Sequence, residues 1–436
     1  MDAYTGYFTK TAKKRGIDRL HYHIEEAEKK DVGIFNGSIM QMASSAEQLL
    51  FIEGDHAGFA GCAYTTSADE EGAHALINNI AQTASLNKVP YGQKPIHDLE
   101  APKNAPISFD GNLMAERLLD AEKSVRVRIK STEAFRMGVS HMRKKVSLIN
   151  DRGQQMSDAY SHYTVFIYVM AKDGGFVQTS RQLRMFASGD FDLADLAMQA
   201  AEEASQMLGS GPCPGGRYNA VIKNSAFAEL LGAFLPALYA EKCQNKMSFL
   251  RGKLNERIGS TAISVLEDQT GVIRRRFDDE GTLTAKKTLI DKGKLADYFH
   301  NNLSAAAEPE KRKSNGNGFR NSYNEGIATS YTNVVVESCG AEELISNMGE
   351  GILITSCDGI FAGVNPVSGD FSVISKGFMV RGGALAEPVS GITIGGSLYD
   401  ILSSALETGS DSVTIRSNTG IVTSPSVMLS GIVVTG

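Results

Sequence analysis

Apolar residues change their spacing several times along the 436-residue chain, and each change marks an element. Tyr4, Tyr7, Phe8 and Ala12 recur at helical spacing before Gly16 supplies a stop, which predicts a short amphipathic helix over residues 2–15. From Leu20 the period becomes two. Leu20, Tyr22 and Ile24 alternate with polar neighbours, and Asn36-Gly37 and Gly54-Asp55 supply turns, so residues 19–65 are expected to form a meander. Ser67 and Glu70 have the spacing of a capping box, and Leu76, Ile77, Ile80, Ala81 and Ala84 form the stripe of a closing helix that ends near Leu86. A connector carrying Pro90, Pro95, Pro102 and Pro106 follows, and then the order returns. Leu113, Leu118, Leu119 and Ala121 predict a helix, turns at Asp151-Arg152-Gly153 and Asp173-Gly174-Gly175 a second meander, and Leu193 to Leu208 a closing helix. A structural duplication without a sequence repeat is the expectation.

The run Gly209-Ser210-Gly211-Pro212-Cys213-Pro214-Gly215-Gly216 can neither continue a helix nor pair in a central strand, so it predicts a domain junction. Beyond it a strand is expected at Tyr218–Ile222 and a helix from Ser225 to Tyr239, with Leu230, Leu231, Phe234 and Leu238 on one face and a kink at Pro236. Short strands then dominate, and Ile432-Val433-Val434 reads as a buried strand. The fold class is α+β: helix-flanked antiparallel meanders at residues 1–100 and 107–210, and a β-rich C-terminal domain with few helices at 217–436.

Charge narrows the partners. A net charge of -6 argues against a nucleic-acid surface, because binding phosphates needs a basic face that displaces counterions. The densest cationic run, Arg274-Arg275-Arg276, is followed by Asp278-Asp279-Glu280 and reads as a solvated hairpin. Five scattered cysteines without a Cys-x-x-Cys pair fit reduced thiols, and no stretch has the ~18 apolar residues of a membrane span, so a cytoplasmic protein without a membrane partner is expected.

Candidate chemistry is sparse. His21 and His23 share a strand face, yet nothing near them in sequence completes a metal site, and they read as surface histidines. His300 reads as structural, and Cys339 and Cys357 as buried, inert thiols. Asn315-Gly316-Asn317-Gly318 looks like a phosphate loop, but no Gly-Lys-Ser/Thr follows.

The turn Gly363-Val364-Asn365-Pro366-Val367-Ser368-Gly369-Asp370-Phe371-Ser372 lies between strand-like runs. With Phe277-Asp278-Asp279-Glu280-Gly281, Leu289-Ile290-Asp291-Lys292-Gly293, Gly316-Asn317-Gly318-Phe319-Arg320, Thr332-Asn333, Gly349-Glu350-Gly351 and Ile392-Thr393-Ile394-Gly395-Gly396, it resembles, in order, the TldD/PmbA family of peptidase-related proteins, also described as modulators of DNA gyrase. The resemblance implies candidate substrate-binding residues at Asn365, Gly369, Asp370 and Phe371; the other role for Asp370 is to satisfy N–H groups of its own turn. In the family's peptidase subunit the helix after the first strand of this domain carries a His-Glu-x-x-x-His zinc motif, completed by a downstream cysteine. Here that helix, Ser225 to Phe234, has no histidine, and the tail Asn418 to Pro425 has no cysteine. Glu229 stands as a possible general base, but reads as a solvated or capping carboxylate.

These departures resemble the PmbA (TldE-like) branch. They imply no catalytic and no metal residues, no cofactor of the chain's own, and zinc in the partner. The expected function is the non-metal subunit of a cytosolic TldD/TldE-type metallopeptidase that degrades or processes peptides. Its partners would be a TldD-type zinc subunit and an extended peptide, with a homodimer also open. The rivals are a self-sufficient peptidase with an unrecognised site and a non-enzymatic regulator of gyrase.

Overall fold

A computed structural model describes residues 2–66, 70–92, 96–102, 109–320, 326–417 and 419–436; Ser67 of the expected capping box, and Pro95 and Pro106 of the connector, lie outside the described residues. The chain opens with helix α1 (Asp2–Lys14), strands β1 (Ile17–Phe35), β2 (Ser38–His56) and β3 (Phe59–Thr65), and helix α2 (Glu70–Asn87). It repeats this order as α3 (Gly111–Arg128), β4 (Thr132–Asn150), β5 (Gln155–Asp173), β6 (Phe176–Phe186) and α4 (Leu193–Gln206). Each of the four long strands, β1, β2, β4 and β5, has 19 residues. The two meanders join: β1 pairs antiparallel with β4 from His21–Asn150 to Phe35–Arg136, giving one six-stranded sheet in the order β3-β2-β1-β4-β5-β6.

Alternation along the strands gives this sheet two different faces. Tyr22 and Ile24 pack with Phe8 of α1 and Ile77 of α2, while Phe135, Met137, Val165 and Ile167 pack against α3 and α4. The intervening positions look the other way. There Val146, Leu148 and Met156 receive Phe277 from the second half of the chain, so this part of the sheet is buried on both sides.

The second half starts with β7 (Gly216–Ile222), which lies parallel to the Gly351–Asp358 strand and antiparallel to Val427–Thr435. Strands Asp370–Arg381 and Ala384–Ser397 continue the sheet, and the latter pairs back onto Val427–Thr435 to close a barrel. Within Val427–Thr435, Ile432 and Val434 are buried but Val433 is 40% exposed, because successive side chains of a strand face opposite ways. A second sheet of short strands runs from Lys294–Leu295 to Val413–Arg416. Helix α5 (Asn224–Phe234) packs against both sheets, burying Phe227, Leu230, Leu231 and Phe234. It ends earlier than its apolar stripe predicts: Pro236 has no N–H to donate back to Gly232, and Leu235–Leu238 tightens into a 3₁₀ turn. Among the described residues, no helix is long and apolar enough to cross a membrane.

Candidate functional site

Polar side chains gather at two places where the first sheet meets the second half. The first contains the segment expected to be a solvated hairpin. Past the exposed Arg274 it is largely buried instead: Arg275 is 5% exposed, Asp278 0% and Asp279 3%. The reason is tertiary, since the outward face of β1, β4 and β5 supplies partners that no local pattern announces. Arg275 Nη2 donates to Asp279 Oδ1 at 2.7 Å. The backbone N and Nε of Arg276 donate to the Asp158 carboxylate at 2.7 and 3.1 Å, and its Nη2 donates to the carbonyls of Glu100 and Ser157. Asp278 accepts from the backbone N–H groups of Glu280, Thr282 and Gly318, yet burial next to Glu280 pushes its carboxyl up to about 8.

His21 and His23 are likewise buried rather than on the surface, because this face of β1 is covered by the docked segment. His23 Nε2 lies 3.2 Å from Glu25 Oε1 and 3.8 Å from Asp279 Oδ1. Among the described residues, His23, Glu25 and Asp279 are the one group of potential metal ligands that converges. Fixed cations already hold both carboxylates: Lys144 Nζ is 2.6 Å from Glu25 Oε2, and Arg275 is on Asp279. Burial alone would raise the Glu25 carboxyl, but His23 and Lys144 hold it well below the usual carboxylate range. The cluster is neutralised from within, which describes a lock between the first sheet and the second half of the chain better than a metal centre.

The turn at Gly363–Ser372 is built by its own residues. Asn365, not Asp370, supplies the side-chain acceptor: Asn365 Oδ1 accepts from Val367 N at 3.0 Å, while Asp370 is exposed. Gly369 has φ +85°, and a Cβ there would stand 2.9 Å from Cγ of Phe249. Phe371, 5% exposed, packs edge-on against Phe234 of α5. The four candidate substrate-binding residues thus share one turn, with Phe371 facing the core.

Other motifs also have structural duties. Asn317 is fully buried and donates to Glu267 Oε2 at 2.9 Å and to the Ser330 carbonyl at 2.8 Å, so the glycine-rich run encloses a polar knot. His300 is fully buried. Burial pushes the Cys357 thiol up to about 12. Cys339 departs from expectation by being exposed: partial burial would raise its thiol, but hydrogen bonds with Thr408 outweigh that and lower it.

The second polar gathering is a cleft of about 240 Å³ between β6 and α5. Arg181, Gln182 and Arg184 line it from β6, Glu229 from α5, and Ser356, Asp358 and Lys376 from the barrel. It shares Arg181, Glu229 and Asp358 with an adjoining space of about 380 Å³ that reaches Arg416. Glu229 is neither freely solvated nor a helix cap: its carboxylate is 3.1 Å from Arg181 Nη2, and burial raises its pKa against that arginine's pull. A zinc ion does not fit the described residues here. Glu229 is taken by Arg181, Cys357 is held as the thiol, and the arginines would repel a cation. Sequence reasoning missed Arg181, Arg184 and Lys376. One signal was present: Phe176–Phe186 is a strand with no continuous apolar face.

An α+β chain with a duplicated helix–meander–helix sheet, joined to a β-barrel that carries one helix beside the cleft, defines the class. Residues 215–436 match the family model described as the PmbA/TldA metallopeptidase C-terminal domain, and residues 102–208 match the central domain of the same family. The chain belongs to the PmbA/TldD family. It is 25% identical over 368 residues to a metalloprotease of Methanocaldococcus jannaschii, covering 78% of this chain and 79% of that protein. It is 27% identical over 216 residues to metalloprotease PmbA of Escherichia coli O157:H7, covering 48% and 45%. The crystal structure of TldE from Thermococcus kodakarensis superposes with a TM-score of 0.87 at 20% identity, over 99% of this chain and 100% of that one, a likeness of fold.

Proposed function

We propose that this chain is the non-metal, TldE/PmbA-like subunit of a cytosolic TldD/TldE-type metallopeptidase. In this reading it helps to enclose and hold an extended peptide, while zinc and bond cleavage belong to a TldD-type partner. The observation that carries it is the chemistry beside α5: where metal ligands would be needed, the helix offers Glu229, and that carboxylate is paired with Arg181. A base without a metal-bound water has no activated nucleophile to generate.

The first sheet supports a partner. β3 pairs with β2 only from Leu50 onward, so Ser38–Leu49 is bonded to β1 alone. In that stretch Glu47 is the single charged residue, and Ile39, Met40 and Met42 are 51%, 49% and 49% exposed. Long uncharged edges with apolar side chains invite another chain, and main-chain pairing accepts many sequences.

Elemental analysis beside a peptidase assay tests the reading. The purified chain is expected to hold no stoichiometric zinc and to cleave no peptide alone. Mixing it with a TldD-type subunit is expected to give activity that a chelator abolishes. About one zinc per chain, with cleavage in the absence of a partner, would overturn the reading in favour of a self-sufficient peptidase.

A further inference from the structure

We infer that the cleft between β6 and α5 is a carboxylate-binding subsite for peptides, anchored by Arg184. The inference deepens the peptide-holding reading above and rests on it.

Arg184 is 5% exposed, yet among the described residues no carboxylate lies within ion-pair distance of it; its recorded hydrogen bond runs from Nη1 to the Leu183 carbonyl at 3.0 Å. A guanidinium offers five N–H donors, and Arg184, which lines the cleft, has one recorded protein acceptor among the described residues. Buried arginines are ordinarily paired, because an unpaired buried charge is costly to keep. The carboxylates of Glu203, Glu229 and Asp411 act on Arg184 only from beyond ion-pair distance. Arg181, Arg184, Lys376 and Arg416 line the cleft and its extension against Glu203, Glu229 and Asp358. Glu203 is neutralised by Lys223 at 2.7 Å and Glu229 by Arg181 at 3.1 Å, leaving a cationic excess.

Two further polar atoms distinguish a peptide from a bare anion. Gln182 Oε1 and Ser356 Oγ are buried in the cleft wall without hydrogen-bond partners. Gln182 is itself 3% exposed and shares with Arg184 the face of β6 that turns toward Glu203 of α4. An amide oxygen can accept a peptide N–H, and a hydroxyl can donate to a carboxylate. A peptide end brings both groups together, with the planar carboxylate matching the guanidinium fork. The carboxylate can come from the peptide's C-terminus or from an acidic side chain.

Isothermal titration calorimetry on the full chain, alone and with a TldD-type partner, separates these sources. Three N-acetylated hexapeptides of otherwise identical neutral residues are compared: one with a free C-terminus, one amidated with a single Glu, and one amidated without any acid. At least one carboxylate-bearing peptide is expected to bind tenfold or more tighter than the acid-free amide. Preference for the free C-terminus assigns the terminal carboxylate, and preference for the Glu peptide assigns the side chain. Arg184→Gln is expected to abolish the discrimination, Arg184→Lys to keep part of it, and Arg381→Gln, at an exposed pair elsewhere, to leave it intact. Equal binding of all three peptides to the wild-type chain in both settings overturns the inference without any variant. Retained discrimination in a folded Arg184→Gln protein overturns the role of that residue. Neither result bears on where the zinc resides, so the peptidase assay can fail or succeed independently.

Discussion

The junction around Asp279 and the cleft around Arg184 are built from the same materials and end in opposite states. Both lie where the first sheet meets the second half, and both bury an arginine that is 5% exposed. At the junction Arg275 has Asp279, Arg276 has Asp158 and Lys144 has Glu25. In the cleft Arg184 has a backbone carbonyl and open space. A polar cluster whose buried charges are paired fixes how two parts of a molecule sit together. One whose buried cation has no carboxylate at ion-pair distance among the described residues is poised for an anionic ligand.

Substitutions can break this comparison, and the largest effect belongs to the junction. Asp279→Ala leaves Arg275 buried without its partner, so a loss of roughly 3–5 kcal/mol in denaturant unfolding is expected. A loss under about 1 kcal/mol would show that the junction is open to water.

An intermediate effect sits beside the cleft. Burial, followed by the nearby charge of Arg416, pushes the imidazole of His162 down to about 4. The folded chain therefore keeps His162 neutral where the unfolded chain, near pKa 6.5, takes up a proton. Its contribution is fully present above pH ~6.5 and is lost as pH falls through about 4; at about 1.4 kcal/mol per unit of separation, the total is about 3.5 kcal/mol. Stability profiles between pH 7 and 4 should be flatter in His162→Asn than in wild type, and parallel profiles would refute this origin.

The smallest effect on stability is expected at Glu229→Gln. Its partner Arg181 is 58% exposed, and such a pair contributes at most about 1 kcal/mol. The same change frees Arg181 and removes a negative charge, so affinity for carboxylate-bearing peptides should rise. Weakened binding in calorimetry would mean that Glu229 itself contacts the ligand.

Much of the fold was legible because its signals are local. The alternation at Leu20, Tyr22 and Ile24, the turns at Asn36-Gly37 and Asp173-Gly174-Gly175, and the stripe in α4 each report which side of one element meets apolar surroundings. The ordered motifs were legible for the same reason. Asp278, Asn317 and Gly369 satisfy backbone groups or adopt left-handed geometry within or between short turns.

The errors share a cause of the opposite kind. Nothing near Arg275 or His23 in the chain indicates that both meet Asp279, since about 250 residues of sequence separate His23 from the other two and its contact is made only when the second half covers the first sheet. The run at Arg274–Glu280 is as charged as any solvated hairpin, and only its docking against Asp158 makes it an interior. Arg184 is the same case in reverse, a residue that composition would place on the surface and that packing buries without an ion-pair partner among the described residues. Sequence by itself determined the elements, their order and the absence of histidine from α5, because each depends on neighbouring residues. Tertiary structure alone decided which charges are paired and which cleft keeps an unpaired one, because burial and pairing depend on what arrives from elsewhere in the chain.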